Sequence, residues 1–132
     1  SPRYLLAMEP GEIAAHVALA ARLGGRGFVW EIRPASGGKT RRLTVCAKDR
    51  PGLVASLAGV FTLNGIHILD VLVFTWKNGV ALDRFELRPP PDPIFEEERW
   101  ERVARHLEEV LAGRLDLASA LAPRLDAARA AG

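Results

Sequence analysis

The sequence has few of the residues that form disulfides, metal sites or membrane spans. Its 132 residues include one cysteine, one methionine and one tyrosine, and aromatic residues make up 7%. The single thiol, Cys46, forms neither an internal disulfide nor a metal site by itself, so we expect a reducing, cytoplasmic location. No signal-peptide pattern opens the chain. The best candidate span, residues 66–76, contains His67 and Asp70 and is far shorter than the ~20 apolar residues that cross a bilayer. We therefore expect no membrane partner.

Neither sign of charge dominates. Eighteen Lys and Arg residues against sixteen Asp and Glu leave a formal net charge of +2. A nucleic-acid-binding protein is expected to cluster its positive charge on one face, whereas these arginines are interleaved with acids along the chain, so we expect no nucleic-acid partner. A hydrophobic content of 48% suits one domain with a buried core. Because the first residue is Ser1 and not methionine, we expect a piece of a longer protein or a tag remnant.

Hydrophobic periodicity and turn residues divide the chain into helices and strands. Asn78-Gly79 is a strong hairpin signal, and Asn64-Gly65 is a strong helix stop. The last segment, 114–132, either docks as a further helix or frays. The predicted order is a helix at 4–23, strands at 28–33 and 42–47, a helix at 53–63, strands at 66–76 and 80–87, and a helix at 96–113.

This order predicts an α+β, ferredoxin-like fold. No strand signal follows Gly113, where that fold ordinarily has its last strand, so we expect the N-terminal strand to occupy the missing edge. The predicted sheet is four-stranded and antiparallel, in the order 28–33, 42–47, 80–87, 66–76, with two helices on one face and an N-terminal helix in addition. The domain boundaries that follow are an N-terminal linker helix at 1–27, a ferredoxin-like domain at 28–115 and an Ala-rich tail at 116–132.

Two segments carry predictions about which face is buried. In the first helix, Ile13, Val17, Ala20 and Ala21 share one face, which predicts that this face is buried. Residues 66–76 carry apolar side chains on both faces, as expected for a strand covered on both sides. The second cover belongs either to this chain or to a partner.

Several stretches of the sequence together carry a family resemblance. They are the Asp49-Arg50-Pro51-Gly52-Leu53 turn, the Ile68-Leu69-Asp70 to Phe74-Thr75 strand, the return through Gly79 and Ala81-Leu82-Asp83, and the upstream Arg3-Tyr4 and Glu12 to His16 segments. These stretches resemble the ACT domain, a small-ligand regulatory module. More narrowly, the chain is similar to the ACT region of bifunctional PII uridylyltransferase/uridylyl-removing enzymes. The resemblance covers roughly residues 3–115.

The resemblance implies a regulatory domain that senses an amino acid, with glutamine as the first candidate. It implies a ligand site at Asp49, Arg50, Pro51, Gly52 and Leu53, with His67 and Asp70 as secondary members. It implies two kinds of protein partner: another ACT domain, as a homodimer or tandem copy, and the catalytic domains of a parent enzyme. The chain departs from the family in having His67 where many ACT domains have Asn, one such turn where the enzyme has two ACT domains, and no counterpart of the catalytic domains.

The Asp49–Leu53 turn also has physical reasons to bind a ligand. The first N–H groups of a helix lack intrahelical partners and attract anions, and Gly52 permits close approach to the backbone. Asp49 is expected either to cap the helix or to bind an ammonium group. The alternative is a well-capped turn that binds nothing, in which case the chain is a stand-alone dimerisation or protein-interaction module with no small-molecule ligand.

The remaining polar residues predict no catalytic or metal site and no cofactor. No Ser-His-Asp order, phosphate-binding loop or zinc spacing is present. We expect the Glu12–His16 pair to be a surface contact, and Cys46 to be a sheet residue, not a nucleophile. His106 is expected to be solvated. If Asp70 is buried it needs a partner, and Arg84 is the candidate.

Overall fold

The computed structural model describes residues 10–91 and 95–131. The helices in this part of the chain are α1 (Pro10–Ala21), α2 (Leu53–Leu63), α3 (Glu96–Leu111) and α4 (Leu117–Ala131), and the strands are β1 (Phe28–Ala35), β2 (Thr40–Lys48), β3 (His67–Thr75) and β4 (Val80–Arg88). A short 3-10 turn, Ser36–Gly38, joins β1 to β2. The predicted start of the first helix at 4–9 lies outside the described residues.

The four strands form one antiparallel sheet in the order β1-β2-β4-β3. This confirms the predicted α+β fold class and the predicted strand order of a ferredoxin-like ACT fold. Strand β1 pairs along its whole length with β2, from Phe28 opposite Ala47 to Ala35 opposite Thr40. The N-terminal strand therefore occupies the edge that the sequence leaves without a C-terminal strand.

The described residues divide into two compact units. The strand unit contains the chain up to Pro51 together with Ile68–Arg88, and the helical unit contains Gly52–His67 and the chain from Pro89 onward. Among the described residues, no helix combines the length and apolar character that a membrane span requires.

Within the strand unit, α1 packs on one face of the sheet. Leu19 of α1 and Leu23, two residues after its end, belong to a buried cluster with Val29 of β1, Cys46 of β2 and Leu82 of β4. On the opposite face of the two central strands, side chains of both strands are buried as well: Leu43, Val45 and Ala47 of β2, and Ala81, Phe85 and Leu87 of β4. The central strands thus bury both faces, as expected of strands in the middle of a covered sheet.

The face of α1 predicted to be buried is wrong in part. Val17 is 56% exposed and Ala21 is exposed, whereas His16 and Leu19 are buried. The buried side of α1 contains His16 and Leu19 and lies next to the predicted stripe. His16 accounts for the difference, because a pattern built from apolar residues alone omits this polar position and selects the neighbouring face.

Within the helical unit, α2 packs against both α3 and α4. The tail is therefore a docked helix and not a frayed end. A Cβ atom at Gly59 would lie only 2.9 Å from a δ-carbon of Leu117, so α2 and α4 are close at this glycine. His106 is half-buried and lies 3.0 Å from the side-chain nitrogen of Asn64, and burial lowers its pKa. The prediction that His106 is solvated was wrong.

Candidate functional site

The Asp49–Leu53 turn leads into α2 with an exposed backbone. Residues 49–52 are exposed, and Leu53 begins the helix with its side chain buried. Gly52 is the residue before the first turn and has φ 77°, a left-handed conformation that costs an L side chain about 1–2 kcal/mol. A Cβ atom there would meet nothing within 4 Å. Glycine is therefore required at position 52 by backbone conformation and not by crowding.

Asp49 does not cap helix α2, so that part of the prediction was wrong. The helix has no side-chain cap, because the residue at the cap position is Gly52, three residues after Asp49. The Asp49 backbone N–H instead donates to the Gly79 carbonyl oxygen at 2.8 Å, which ties the end of β2 to the β3–β4 turn. The first N–H groups of a helix have no intrahelical partner, so an uncapped start such as this one suits an anionic group.

His67 and Asp70, the secondary candidates, are both exposed on β3. Three positions apart on a strand, they point to opposite faces. Asp70 accepts a hydrogen bond from the neighbouring Val71 N–H at 2.9 Å and is not paired with Arg84, which donates to Glu12 at 2.7 Å. Arg84 was the candidate partner only for a buried Asp70, and because Asp70 is exposed that condition is not met.

Asp83 is a buried carboxylate that the sequence analysis did not select. Its exposure is 1%, and neither carboxylate oxygen has a hydrogen-bond partner among the described residues. Burial, and then the negative charge of Asp49, raise the pKa of Asp83 to about 7. It lies on β4 directly opposite Val45 of β2. The only signal in the sequence is its place between Leu82 and Arg84 in an otherwise alternating strand.

Strand β3 exposes one apolar face. Leu69, Val71 and Val73 are 47%, 37% and 44% exposed, although their partners on the other face, Leu72 and Phe74, pack in the cluster beneath α1. The sequence predicted a cover on both sides of this strand. The described residues cover the side chains of Leu69, Val71 and Val73 only in part.

A pocket of about 320 Å³ lies between α1 and the sheet. Its walls are the start of α1 on one side and polar side chains of β1 and β2 on the other. The residues that line it are Gly11, Glu12, Ala15 and His16 from the helix and Glu31, Arg33, Arg42 and Thr44 from the strands.

The strand register explains why the charges collect there. Glu31 of β1 faces Thr44 of β2, which faces Arg84 of β4. The next row is Arg33, Arg42 and Glu86. Cross-strand neighbours project to the same face, so both rows lie on the α1 side, beside the apolar row of Val29, Cys46 and Leu82. A polar residue at every second position of three strands is the signal that would have identified this surface.

His16 is the most buried polar group of the pocket. It is 6% exposed, so the expectation of a surface Glu12–His16 contact was wrong. Burial lowers the pKa of His16, partly offset by the charge of Glu12 and reinforced by Arg84. The ring is therefore neutral at physiological pH and adds no charge to the pocket.

The described residues contain no group of three or more His, Cys, Asp or Glu side chains arranged to hold a metal ion. Cys46 is fully buried in β2, as predicted for a sheet residue. Burial and the charge of Asp83 raise the pKa of its thiol to about 11. A buried thiol with so high a pKa is a poor nucleophile at neutral pH.

No protein-family model matches the chain. Three similar proteins are each named bifunctional uridylyltransferase/uridylyl-removing enzyme. The chain is 33% identical over 123 residues to the protein from Rhodospirillum rubrum, a match that covers 91% of the chain and 13% of that protein. It is 38% identical over 76 residues to the protein from Gluconobacter oxydans (57% and 8%). It is 37% identical over 83 residues to the protein from Novosphingobium aromaticivorans (62% and 9%).

These relatives confirm the similarity to uridylyltransferase/uridylyl-removing enzymes that the sequence motifs predicted. The chain spans only 13% or less of the length of each of the three. It therefore corresponds to a small region of such an enzyme.

Proposed function

We propose that this chain is a regulatory ACT domain of a PII uridylyltransferase/uridylyl-removing enzyme, and that it senses an amino acid, with glutamine as the first candidate. The observation that carries the proposal is the 33% identity over 91% of the chain to an enzyme of that name, of which the match covers 13%. The four-stranded antiparallel sheet with its β1-β2-β4-β3 order supports the proposal, because it has the strand order of a ferredoxin-like ACT fold with the N-terminal strand at the edge of the usual last strand. In this proposal, uridylyl transfer and removal take place outside the matched region.

The proposed ligand site is the Asp49–Leu53 turn. The ligand carboxylate binds at the uncapped start of α2, where Gly52 leaves the backbone accessible and the helix dipole favours negative charge. Ligand binding regulates the parent enzyme only if the ligand has different affinities for two arrangements of its domains. A second ACT domain and the catalytic domains are the proposed partners in those arrangements.

Replacing Gly52 by alanine tests the site. The left-handed φ at this position should cost the variant about 1 kcal/mol of stability and weaken glutamine binding in calorimetry, because the helix start must shift. Gly27→Ala is the matched control, since Gly27 has open space around it and no positive φ. Glutamine binding that is equal in both variants would contradict the assignment to this turn. Absence of heat with glutamine and with the other amino acids would contradict amino-acid sensing.

A second candidate function is a stand-alone dimerisation or interaction module with no small-molecule ligand. The observation that favours it is the exposed apolar face of Leu69, Val71 and Val73 on the edge strand β3, since an exposed edge strand is a template for pairing with another chain.

The second candidate predicts a stable dimer in light scattering that Val71→Lys dissociates, because a charge on the apolar face opposes association. Val17→Lys is the control, since it adds the same charge at an exposed position of α1. A chain that is monomeric at every concentration, or a dimer that both substitutions leave intact, would contradict this second function. A stable dimer with no amino-acid binding would favour it over the sensor.

A further inference from the structure

The pocket between α1 and the sheet has a balanced set of charges. Glu12 and Glu31 contribute two negative charges, Arg33 and Arg42 contribute two positive charges, and His16 is neutral because burial lowers its pKa. The formal charge of the lining is therefore zero. The two carboxylates would repel a purely anionic ligand, and the two arginines would repel a purely cationic one. The lining is complementary to a ligand that carries both signs.

Two guanidinium groups line the pocket on the side of the sheet. Arg33 and Arg42 are directly opposite each other across β1 and β2, a placement in which like charges repel unless acids or anions lie between them. Arg33 is paired with Glu31, and Arg42 donates to Glu86 at 2.7 Å. Each guanidinium has five N–H donors, so one carboxylate partner leaves donors for a second. The two arginines suit a ligand carboxylate, which planar guanidinium groups bind in a bidentate manner.

Two carboxylates, Glu12 and Glu31, also line the pocket. Glu12 lies in the first turn of α1 and accepts from Arg84 at 2.7 Å, and Glu31 lies in the cross-strand row next to Arg33 and Arg42. An ionised carboxylate offers about four acceptor positions, so each keeps acceptor capacity beyond its arginine partner. An ammonium group with three N–H donors matches this capacity.

We infer that this pocket is a binding site for a small zwitterion that carries a carboxylate and an ammonium group, of which a free α-amino acid is the simplest. Its volume of about 320 Å³ lies within the range of small-molecule sites, about 300–1,000 Å³. The site is distinct from the Asp49–Leu53 turn. The inference depends neither on a parent enzyme nor on that turn.

The charge requirement is tested with a panel of L-amino acids at millimolar concentration on the full 132-residue chain. The first measurement is the rise in melting temperature, followed by calorimetry of the amino acid with the largest effect. Two analogues of that amino acid, one without its carboxylate and one without its amino group, are each expected to bind at least about tenfold more weakly, since each loses charge-assisted hydrogen bonds. Failure of every amino acid to bind, or analogues that bind equally well, would overturn the inference.

The location is tested with two variants and their matched controls. Arg33→Gln removes one of the two guanidinium groups proposed to bind the ligand carboxylate and should weaken binding by about tenfold or more. Arg22→Gln makes the same change at an exposed residue outside the pocket. Ala15→Leu fills the pocket and should abolish binding, whereas Ala18→Leu makes the same change on the exposed side of α1. Unchanged melting temperatures without ligand show that the variants are folded.

The variants also separate this site from the proposed sensor site. Binding that is lost in Ala15→Leu but kept in Gly52→Ala supports the α1 pocket and contradicts ligand binding at the turn. Binding that is lost in Gly52→Ala but kept in Ala15→Leu overturns the pocket and supports the turn. Two independent binding events, each removed by one of the variants, would support both sites.

Discussion

Asp83→Asn is expected to stabilise the chain much more at about pH 8 than at about pH 4, by a difference of about 4 kcal/mol. Asp83 is buried, and neither of its carboxylate oxygens has a hydrogen-bond partner in the described part of the chain. Its pKa rises from an ordinary value of 3.8 to about 7 in the folded protein. Ionisation of this side chain is therefore opposed in the folded state only, and asparagine removes the ionisation while it keeps the shape.

The sign of the pH dependence follows from proton binding. Between about pH 4 and about pH 7 the folded state retains the Asp83 proton while the unfolded state has lost it, so the free energy of unfolding falls as the pH rises. The contribution is complete below the ordinary pKa of 3.8 and is lost once the pH exceeds about 7. His16 and His106 act in the opposite direction, because their lowered pKa values make the fold less stable as the pH falls below 6.5. The difference between variant and parent removes the histidine contribution.

Urea unfolding followed by circular dichroism across this pH range is the measurement. Asp70→Asn is the control, because Asp70 is exposed and its Oδ1 acceptor is kept in asparagine. Asp49→Asn gives an independent test, since removing its negative charge should lower the pKa of Asp83 and move the pH dependence to lower pH. If the free energies of unfolding of Asp83→Asn and Asp70→Asn changed with pH in the same way, that result would contradict an ionisable buried Asp83.

The strand order could be predicted because its signals are local. Alternation in residues 28–33 and 42–47, a turn between them and the Asn78-Gly79 hairpin signal define neighbouring strands without tertiary information. The absence of a strand signal after Gly113 then leaves one edge for the N-terminal strand. The signal for the start of α2 at Leu53 is local in the same way, because Gly52, in a left-handed conformation, lies directly before the helix.

The α1 pocket could not be predicted because its members come from different elements. Glu12 belongs to a helix, and Arg33 and Arg42 become neighbours only when the β1–β2 register is known. The Arg84–Glu12 pair joins residues 72 positions apart. Asp83 poses the same difficulty, because its neighbour Val45 lies on another strand and is known only from the β2–β4 register. In the sequence, Arg84 is instead the candidate partner of a buried Asp70, the acid on the adjacent strand.

The buried face of α1 shows how one polar residue misleads a pattern. Ile13, Val17, Ala20 and Ala21 form an apolar helical face, yet the buried stripe contains His16 and Leu19. A neutral imidazole is tolerated there because burial lowers its pKa, so no charge is desolvated at physiological pH. The same residue lines the pocket, so the departure from a simple hydrophobic pattern coincides with the polar surface proposed to bind a zwitterion.

Leu19→Ala should therefore destabilise the chain by about 3 kcal/mol, whereas Val17→Ala should change stability by only about 0.5 kcal/mol. Leu19 is 2% exposed and packs with Val29, Cys46 and Leu82, so its truncation leaves a cavity between α1 and the sheet, while Val17 is 56% exposed. Urea unfolding at one pH measures both. Accessibility of the Cys46 thiol to a labelling reagent should rise in Leu19→Ala alone. A larger loss of stability in Val17→Ala than in Leu19→Ala would show that α1 buries the face that the apolar pattern predicts. That result would contradict the packing of α1 on the sheet through Leu19.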